Sequence, residues 1–446
     1  MKPSIPKGTR DFLPAQVAKR NYIFSTIKKV FETYGYVPIE TPVMENLSTL
    51  TGKYGEEGDK LIFKVLNNGD FLAKANEEAL ADKNSSKLVS SIAKRGLRYD
   101  LTVPFARFVS MHQNDITFPF KRYQIQQVWR GDRPQKGRYQ EFFQCDADVV
   151  GSNSLMYEAE LVKIYDEVFT HLNVDVEIKI NNRKVLFGLA ESVGIEDKFM
   201  DMTMAMDKID KIGEEGVLNE MQKRGISLDA AQSVLKNLAI SNLDDLEKSF
   251  EDCPTGLKGV EELRVLHKYL DRTKTKNQIS FDISLARGLT YYTGCIIEVL
   301  SKDVKIGSIG GGGRYADLTS TFGLKGVAGV GISFGAARIY DVMEELALFP
   351  KAIEQNLKVL LIAFDDEAHA FAFEILSELR SYDIASDLYP SPTKLKKQMK
   401  YANDMNVPFV VLIGSEEIES KMLTLKNMVT GDQTKLNIAD LISNLS

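Results

Sequence analysis

The chain has 446 residues, 44% of them hydrophobic and 26% charged, enough to build two or three globular domains. A formal net charge of −6 gives no basic footprint over the whole molecule, which argues against indiscriminate nucleic-acid binding but leaves room for a local basic patch. Cys145, Cys253 and Cys295 are far apart and odd in number, and the four His are scattered. Neither a disulfide framework nor a metal site built from protein clusters is therefore expected. Met1 to Ser4 has no apolar run behind it, and no stretch approaches the ~20 apolar residues that span a membrane. A soluble, cytoplasmic protein with no membrane partner is expected.

Lys7 to Asp11 is a short polar opening. From Ala15 to Tyr34 the apolar residues Val17, Ile23, Ile27, Val30 and Phe31 recur at helical spacing, and Gly35 stops the helix. Tyr36 to Met44 reads as a strand, and Pro38 and Pro42 confine it to a sheet edge. In Leu97 to Phe108, Arg98, Asp100 and Thr102 alternate with Leu97, Tyr99, Leu101 and Val103, as at a strand end, before helical spacing resumes. Asp100 and Thr102 brought together could orient an ammonium group, or simply face solvent.

Phe120 to Gly151 is the most informative stretch. An alternating run ends at Arg130, a polar loop carries Gly131 to Tyr139, and a second apolar-rich run, Phe142 to Val150, returns. A loop of about ten residues is long for a hairpin, and loops that long are more often binding loops than connectors. Arg130, Arg133, Lys136 and Arg138 can offer charge-assisted hydrogen bonds to phosphate, although ordinary surface ion pairs would use the same residues. Asp146 and Asp148, two apart, share one face of the return strand, where burial would be costly without a partner.

Asn153 to Val168 reads as a helix and Val174 to Ile180 as a strand. Residues 185–276 show helical spacing and no alternation, either a helical insertion between two halves of a sheet domain or a continuation of the same core. Strands return in Ile279 to Leu300, with Arg287 to Gly294 between them, and a glycine run follows in Gly307 to Tyr315. Those glycines exclude a helix interior and permit close backbone approach. Gly329 to Arg338 is a glycine-bearing strand leading into a helix. After a break at Pro350, strands and helices alternate to the end of the chain, predicting a small α/β domain with a largely parallel sheet. Lys394, Lys396, Lys397 and Lys400 cluster on its second helix.

These strings carry a resemblance. Arg130-Gly131-Asp132 resembles motif 2 of the class II aminoacyl-tRNA synthetases, with Asp132 where Glu is usual. RPQKGRYQEFFQCDADVVG (Arg133 to Gly151) and LARGLTYYTG (Leu285 to Gly294) resemble the histidyl-tRNA synthetases specifically, as does the opening Pro6, Gly8, Asp11. The helix and Pro-bearing strand resemble motif 1, with Pro42 as its proline, and Gly329 to Arg338 resembles motif 3. The resemblance implies an α/β protein: an α+β catalytic domain with an antiparallel sheet in residues 1–184 and 277–350, a helical insertion domain in 185–276 and an anticodon-binding α/β domain in 357–446. It implies a homodimer with L-histidine and tRNA(His) as partners.

By the same resemblance Asp100, Thr102, Gln144, Asp148, Tyr291, Tyr292 and Tyr315 contact histidine. Asp148 and Tyr292 would take the two ring nitrogens, one donor and one acceptor in a neutral imidazole. Arg130, Asp132, Arg138, Arg287 and Arg338 would contact ATP, with Arg130 and Arg287 catalytic and Mg2+ as cofactor. Arg133 and Gln135 would touch the tRNA acceptor end. The implied chemistry has two steps. The histidine carboxylate attacks the α-phosphorus of ATP, with Arg130, Arg287 and magnesium stabilising the developing charge and Arg338 holding pyrophosphate. The terminal ribose hydroxyl of tRNA then attacks the acyl carbon. A second reading is a histidine-binding regulatory paralogue of the synthetase, a subunit of ATP phosphoribosyltransferase. Such paralogues lack the C-terminal domain and erode the motif arginines, whereas Arg130, Arg287 and Arg338 are all present here.

Overall fold

The computed structural model describes residues 2–52, 55–240, 242–286, 291–354 and 357–446. They fall into two units, one of residues 1–12 and 20–348, the other of 13–19 and 349–446. The first is organised on an eight-stranded sheet. In chain order its strands are β1 (Val37–Pro38), β2 (Phe120–Trp129), β3 (Glu141–Val150), β4 (Val176–Asn182), β5 (Gln278–Phe281), β6 (Cys295–Ser301), β7 (Gly310–Tyr315) and β8 (Gly329–Gly335). Their spatial order is β1-β2-β3-β8-β7-β6-β4-β5. The inner strands pair antiparallel. The two edge strands, β1 on β2 and β5 on β4, run parallel, so the sheet is mixed at its margins.

Two local expectations are corrected. The strand foreseen over Tyr36 to Met44 splits: only Val37 and Pro38 join the large sheet, after helix α1 (Pro14–Thr33). Met44–Asn46 belongs to a separate three-stranded sheet with Lys64–Val65 and Arg95–Leu97. Two prolines remove amides that one continuous strand would use. The alternation after Leu97 is likewise not a strand, for it leads straight into helix α2 (Thr102–Met111). Pro104 sits in the first turn, where its missing amide costs no hydrogen bond. The Asp100 carboxylate accepts the Val103 amide of that turn at 3.1 Å.

The β2–β3 hairpin sets the functional face. Its register places Arg122 opposite Asp148, Gln124 opposite Asp146 and Gln126 opposite Gln144, so six polar residues share one side. The alternate positions, Cys145 and Ala147 among them, face the other way with Phe334 of β8, which pairs with Cys145. On that side α1 and α3 (Met156–His171) cover the sheet: the rings of Phe31, Tyr165 and Phe169 lie 5.8, 4.6 and 5.6 Å from that of Phe334. Arg314 of β7 pairs with Glu158 of α3 beneath the sheet, both buried.

The glycine run is strand β7. A Cβ on Gly310 would lie 2.6 Å from the Tyr165 ring, and one on Gly313 3.0 Å from the Tyr292 ring. The Tyr165 hydroxyl reaches the Gly311 and Ser333 carbonyls at 2.9 Å each. Aromatic rings of this same chain thus use much of the space the glycines leave.

Every regular element among the described residues of 183–270 is a helix, from α4 (Arg183–Glu191) to α5 (Pro254–Leu270), with turns between them. The second unit holds strands β9 (Val359–Ala363), β10 (Ser386–Leu388), β11 (Phe409–Ile413), β12 (Leu423–Asn427) and β13 (Gln433–Leu436), ordered β10-β9-β11-β12-β13. The pairings of β9 with β10 and β11 are parallel, while β12 and β13 add antiparallel. The sheet expected to be largely parallel therefore ends in an antiparallel hairpin, β12 and β13, turned at Gly431 with φ +81°. Helices α6 (Ala336–Glu345), α7 (Asp366–Ser381) and α8 (Leu395–Asp404) complete the elements used below.

Candidate active site

The end of β2, the loop to β3 and the start of α6 enclose a cavity of about 350 Å3. Arg130, Asp132, Arg138, Tyr139, Gln144 and Arg338 line it, with Tyr99, Ser308, Gly311 and Ser333. Arg130 is fixed on three sides. Its Nε donates to the Tyr99 carbonyl at 3.0 Å, its Nη2 to Gln144 Oε1 at 3.4 Å, and its guanidinium carbon lies 4.4 Å from the centre of the Tyr99 ring. The loop tip closes on itself: the backbones of Gln135 and Arg138 exchange hydrogen bonds of 3.1 and 2.9 Å around Gly137, at φ +72°. Arg338 reaches back from the first turn of α6, Nε donating to the Gly137 carbonyl at 2.7 Å and Nη1 to that of Ser308. Three guanidinium groups facing one cavity suit a polyphosphate, which they can bind through paired charge-assisted bonds.

A second, narrow cleft of about 20 Å3 shares Ser333 with the first and is lined by Thr102, Asp146, Asp148, Tyr292, Tyr315 and Gly331. Asp148 is buried, with Oδ2 2.6 Å from Arg122 Nη2 and Oδ1 accepting from the Tyr315 hydroxyl at 2.8 Å. Burial pushes the Asp148 carboxyl up, while Arg122 and Tyr315 pull it down. Asp146 is pushed up to about 7, chiefly by burial, with Arg122 opposing and Asp148 adding to the rise. Burial also raises the Tyr292 phenol, helped by the two aspartates. Two buried carboxyls facing one buried guanidinium leave the cleft short of positive charge. It therefore favours a ligand that carries a cation or strong donors.

The histidyl-tRNA synthetase family model matches residues 8–73 and 68–339, and an anticodon binding domain model matches residues 358–446. The chain belongs to the histidyl-tRNA synthetase family. It is 56% identical over 448 residues to the histidine–tRNA ligase of Christiangramia forsetii, covering 99% of this chain and 98% of that one. Identity to the Bacteroides fragilis histidine–tRNA ligase is 53% over 450 residues, 100% of this chain and 99% of the other. The crystal structure of histidyl-tRNA synthetase from Nostoc sp. PCC 7120 matches with a TM-score of 0.84 at 30% identity, covering 100% and 99% of the two chains.

Of the residues that resemblance to the histidyl-tRNA synthetases assigns to ATP, the larger cavity gathers Arg130, Asp132, Arg138 and Arg338. Arg287 lies outside the described residues. The segment leading to it is tied down by Asn181 Nδ2, which donates to the Ile283 and Leu285 carbonyls at 3.1 and 2.9 Å. Of the residues assigned to histidine, the narrow cleft gathers Thr102, Asp148, Tyr292 and Tyr315, and Gln144 stands on the wall of the larger cavity. Asp100 and Tyr291 are not among the lining residues. The first binds the opening turn of α2, and the second sets its ring edge-on to Tyr292 and Tyr315. Arg133 and Gln135 are exposed on the loop, away from both linings. Arg122, Ser333 and Tyr99 were not singled out from sequence, and Asp146 was noted without a role. The period-two alternation of β2 puts Arg122 on one face with Gln124 and Gln126, and the hairpin register then sets that face beside Asp146 and Asp148. Tyr99 and Ser333 reach the site through folding alone. Among the described residues no three His, Cys, Asp or Glu side chains could hold a metal ion together, and no helix is long and apolar enough to cross a membrane.

Proposed function

We propose that this chain joins L-histidine to tRNA(His) through a histidyl-adenylate made from ATP. The observation that carries the reading is the adjacency of the two sites. A cavity walled by Arg130, Arg138 and Arg338 meets, at Ser333, a cleft floored by Asp146 and Asp148. Histidine would put its imidazole against Asp148 and Tyr292 and its ammonium toward Thr102 and the remaining carboxyls, leaving its carboxylate at the boundary. That is where an α-phosphorus held by Arg130 can be attacked. The cleft is far smaller than an imidazole, so binding widens it. A buried site that demands both ring bonds rejects side chains lacking them, by up to ~10⁴-fold or more.

Arg130 and Arg287 stabilise charge on the α-phosphoryl oxygens, and Arg338, at the helix start, holds the departing pyrophosphate. Magnesium fits the larger cavity as an ion carried by the nucleotide: Asp132 is the carboxylate among the described lining residues, and such an ion neutralises phosphate charge. Arg133 and Gln135, exposed on the loop, meet the acceptor end of tRNA. Residues 1–184 and 277–350 form the catalytic domain, 185–276 an insertion that packs on the acceptor stem, and 357–446 the anticodon-binding domain. The chain acts in the cytoplasm as a homodimer. Support for the dimer is the short edge strand β1, with Val37 46% exposed, and Val43 and Met44 close after it at 41% and 47%.

The regulatory-paralogue reading loses ground on two counts: full-length identity above 50% to histidine–tRNA ligases, and motif arginines that line a cavity. Histidine-dependent exchange of labelled pyrophosphate into ATP decides between them. The wild-type chain should exchange, and Arg130→Ala and Arg287→Ala should each lower the rate by about 10²-fold or more. Histidine binding without any exchange in the wild type would overturn the synthetase reading.

A further inference from the structure

The polar opening of the chain, which no step above uses, lies against the loop that carries the nucleotide-facing residues. Gly8 holds φ +85°, and a Cβ there would come within 2.8 Å of Gln140 Cγ and 2.9 Å of Pro134 Cγ. Only glycine permits that backbone at that distance. Its carbonyl accepts the Gln140 amide at 2.9 Å, extending the loop by one backbone bond, and the Thr9 amide closes a turn onto Pro6 at 3.2 Å. Gln140 in turn donates through Nε2 to the Asp132 carbonyl at 3.0 Å, and its own carbonyl accepts the Arg130 amide at 2.9 Å. Two residues on, the guanidinium carbon of Arg10 lies over Tyr139, 3.6 Å from the ring centre, with Nη1 3.7 Å from Asp341 Oδ1. The Tyr139 hydroxyl donates to the other Asp341 oxygen at 2.9 Å. Arg10, Tyr139 and Asp341 therefore close a triangle between the opening segment, the loop and α6.

We infer that residues 6–12 are a strap that fixes the loop of residues 131–140 against α6, and that Arg10 is a positioning residue for nucleotide binding. Arg10 touches neither cavity, so it acts through Tyr139, which lines the larger one beside Arg138. An unheld loop must be ordered by each incoming nucleotide, and that ordering cost appears as weaker binding. The narrow cleft is built from α2, β3, β7 and β8, together with Tyr292, and shares no residue with the strap or the loop. Weakening the strap should therefore divide the two substrates.

The proposal rests on the synthetase reading, and histidine-dependent pyrophosphate exchange tests it. Arg10→Ala should raise KM for ATP about tenfold and leave KM for histidine unchanged, the loss of one close cation–aromatic and ion-pair contact. Gly8→Ala, with Arg10 intact, should do the same by displacing Gln140 and Pro134. Arg10→Lys keeps the charge toward Asp341 and loses the guanidinium over the ring, so it should fall between wild type and Arg10→Ala. An unchanged KM for ATP in both the alanine variants would overturn the strap. So would equal rises in both KM values with a lowered Tm, which mark general destabilisation. Absence of exchange in the wild type would instead sink the synthetase reading.

Discussion

Asp146 shows how a single buried group can tie stability to pH. Its carboxyl sits on the sheet face beside Asp148, and its ionisation is pushed up to about 7, against an ordinary value of 3.8. Between those two values the folded chain binds a proton at this position that the unfolded chain has released. Stability from this group is therefore greatest below about pH 4 and declines as pH rises toward 7. Asp146→Asn removes the titration and keeps the shape. Urea unfolding midpoints of wild type and Asp146→Asn, measured from pH 4 to pH 7.5, should diverge as pH rises, the variant becoming the more stable by on the order of a few kcal/mol. A constant difference across that range would mean that Asp146 stays ionised throughout, held by Arg122. The pairing of Arg122 with Asp148 was hidden in sequence because the partners are 26 positions apart and meet only through the hairpin register, which places them directly opposite.

At the scale of elements, β8 owes its glycines to what neighbouring strands put across it. A Cβ on Gly331 would sit 2.0 Å from Asp148 Oδ1, because the two residues are register partners and the carboxylate leans over the glycine. Gly331→Ala should therefore push Asp148 off Arg122 and Tyr315. Exchange kinetics should show KM for histidine raised by about 10²-fold, the scale of losing a buried charged hydrogen bond, with KM for ATP little changed. Equal histidine affinity in the variant would mean that Asp148 does not meet the substrate. Such close approaches explain which elements were legible. The hairpin was readable because its first arm alternates, its second is apolar-rich and the loop between them is polar. The glycine run was readable as non-helical, but not as a central strand, since the rings that use its space come from Tyr165 and Tyr292, far away in sequence. The stretch around Asp100 misled because alternation of polar and apolar residues over a few positions also describes a turn entering a helix at Thr102.

At the scale of the molecule, both cavities are built from the unit of residues 1–12 and 20–348, and the lysine cluster belongs to the other. In the function proposed above, that separation divides the reaction: adenylate formation would use the first unit alone, and recognition of tRNA would draw on both. On α8 the buried face is Gln398 and Ala402, leaving Lys396, Lys397 and Lys400 exposed, with Lys394 exposed just before the helix. The chain as a whole carries −6, so attraction to RNA must come from local patches such as this one. Each lysine that neutralises a phosphate of single-stranded RNA contributes about −0.7 to the slope of log affinity against log salt. Replacing all four by Gln should leave histidine-dependent pyrophosphate exchange at wild-type KM and kcat. In aminoacylation, KM for tRNA should rise at least about tenfold, and its salt slope should flatten by up to about 3. An ordinary solvated helix face would give the opposite result, with tRNA KM and salt slope both unmoved. The two outcomes can be told apart because the exchange assay, run on the same protein, reports whether the first unit is still intact.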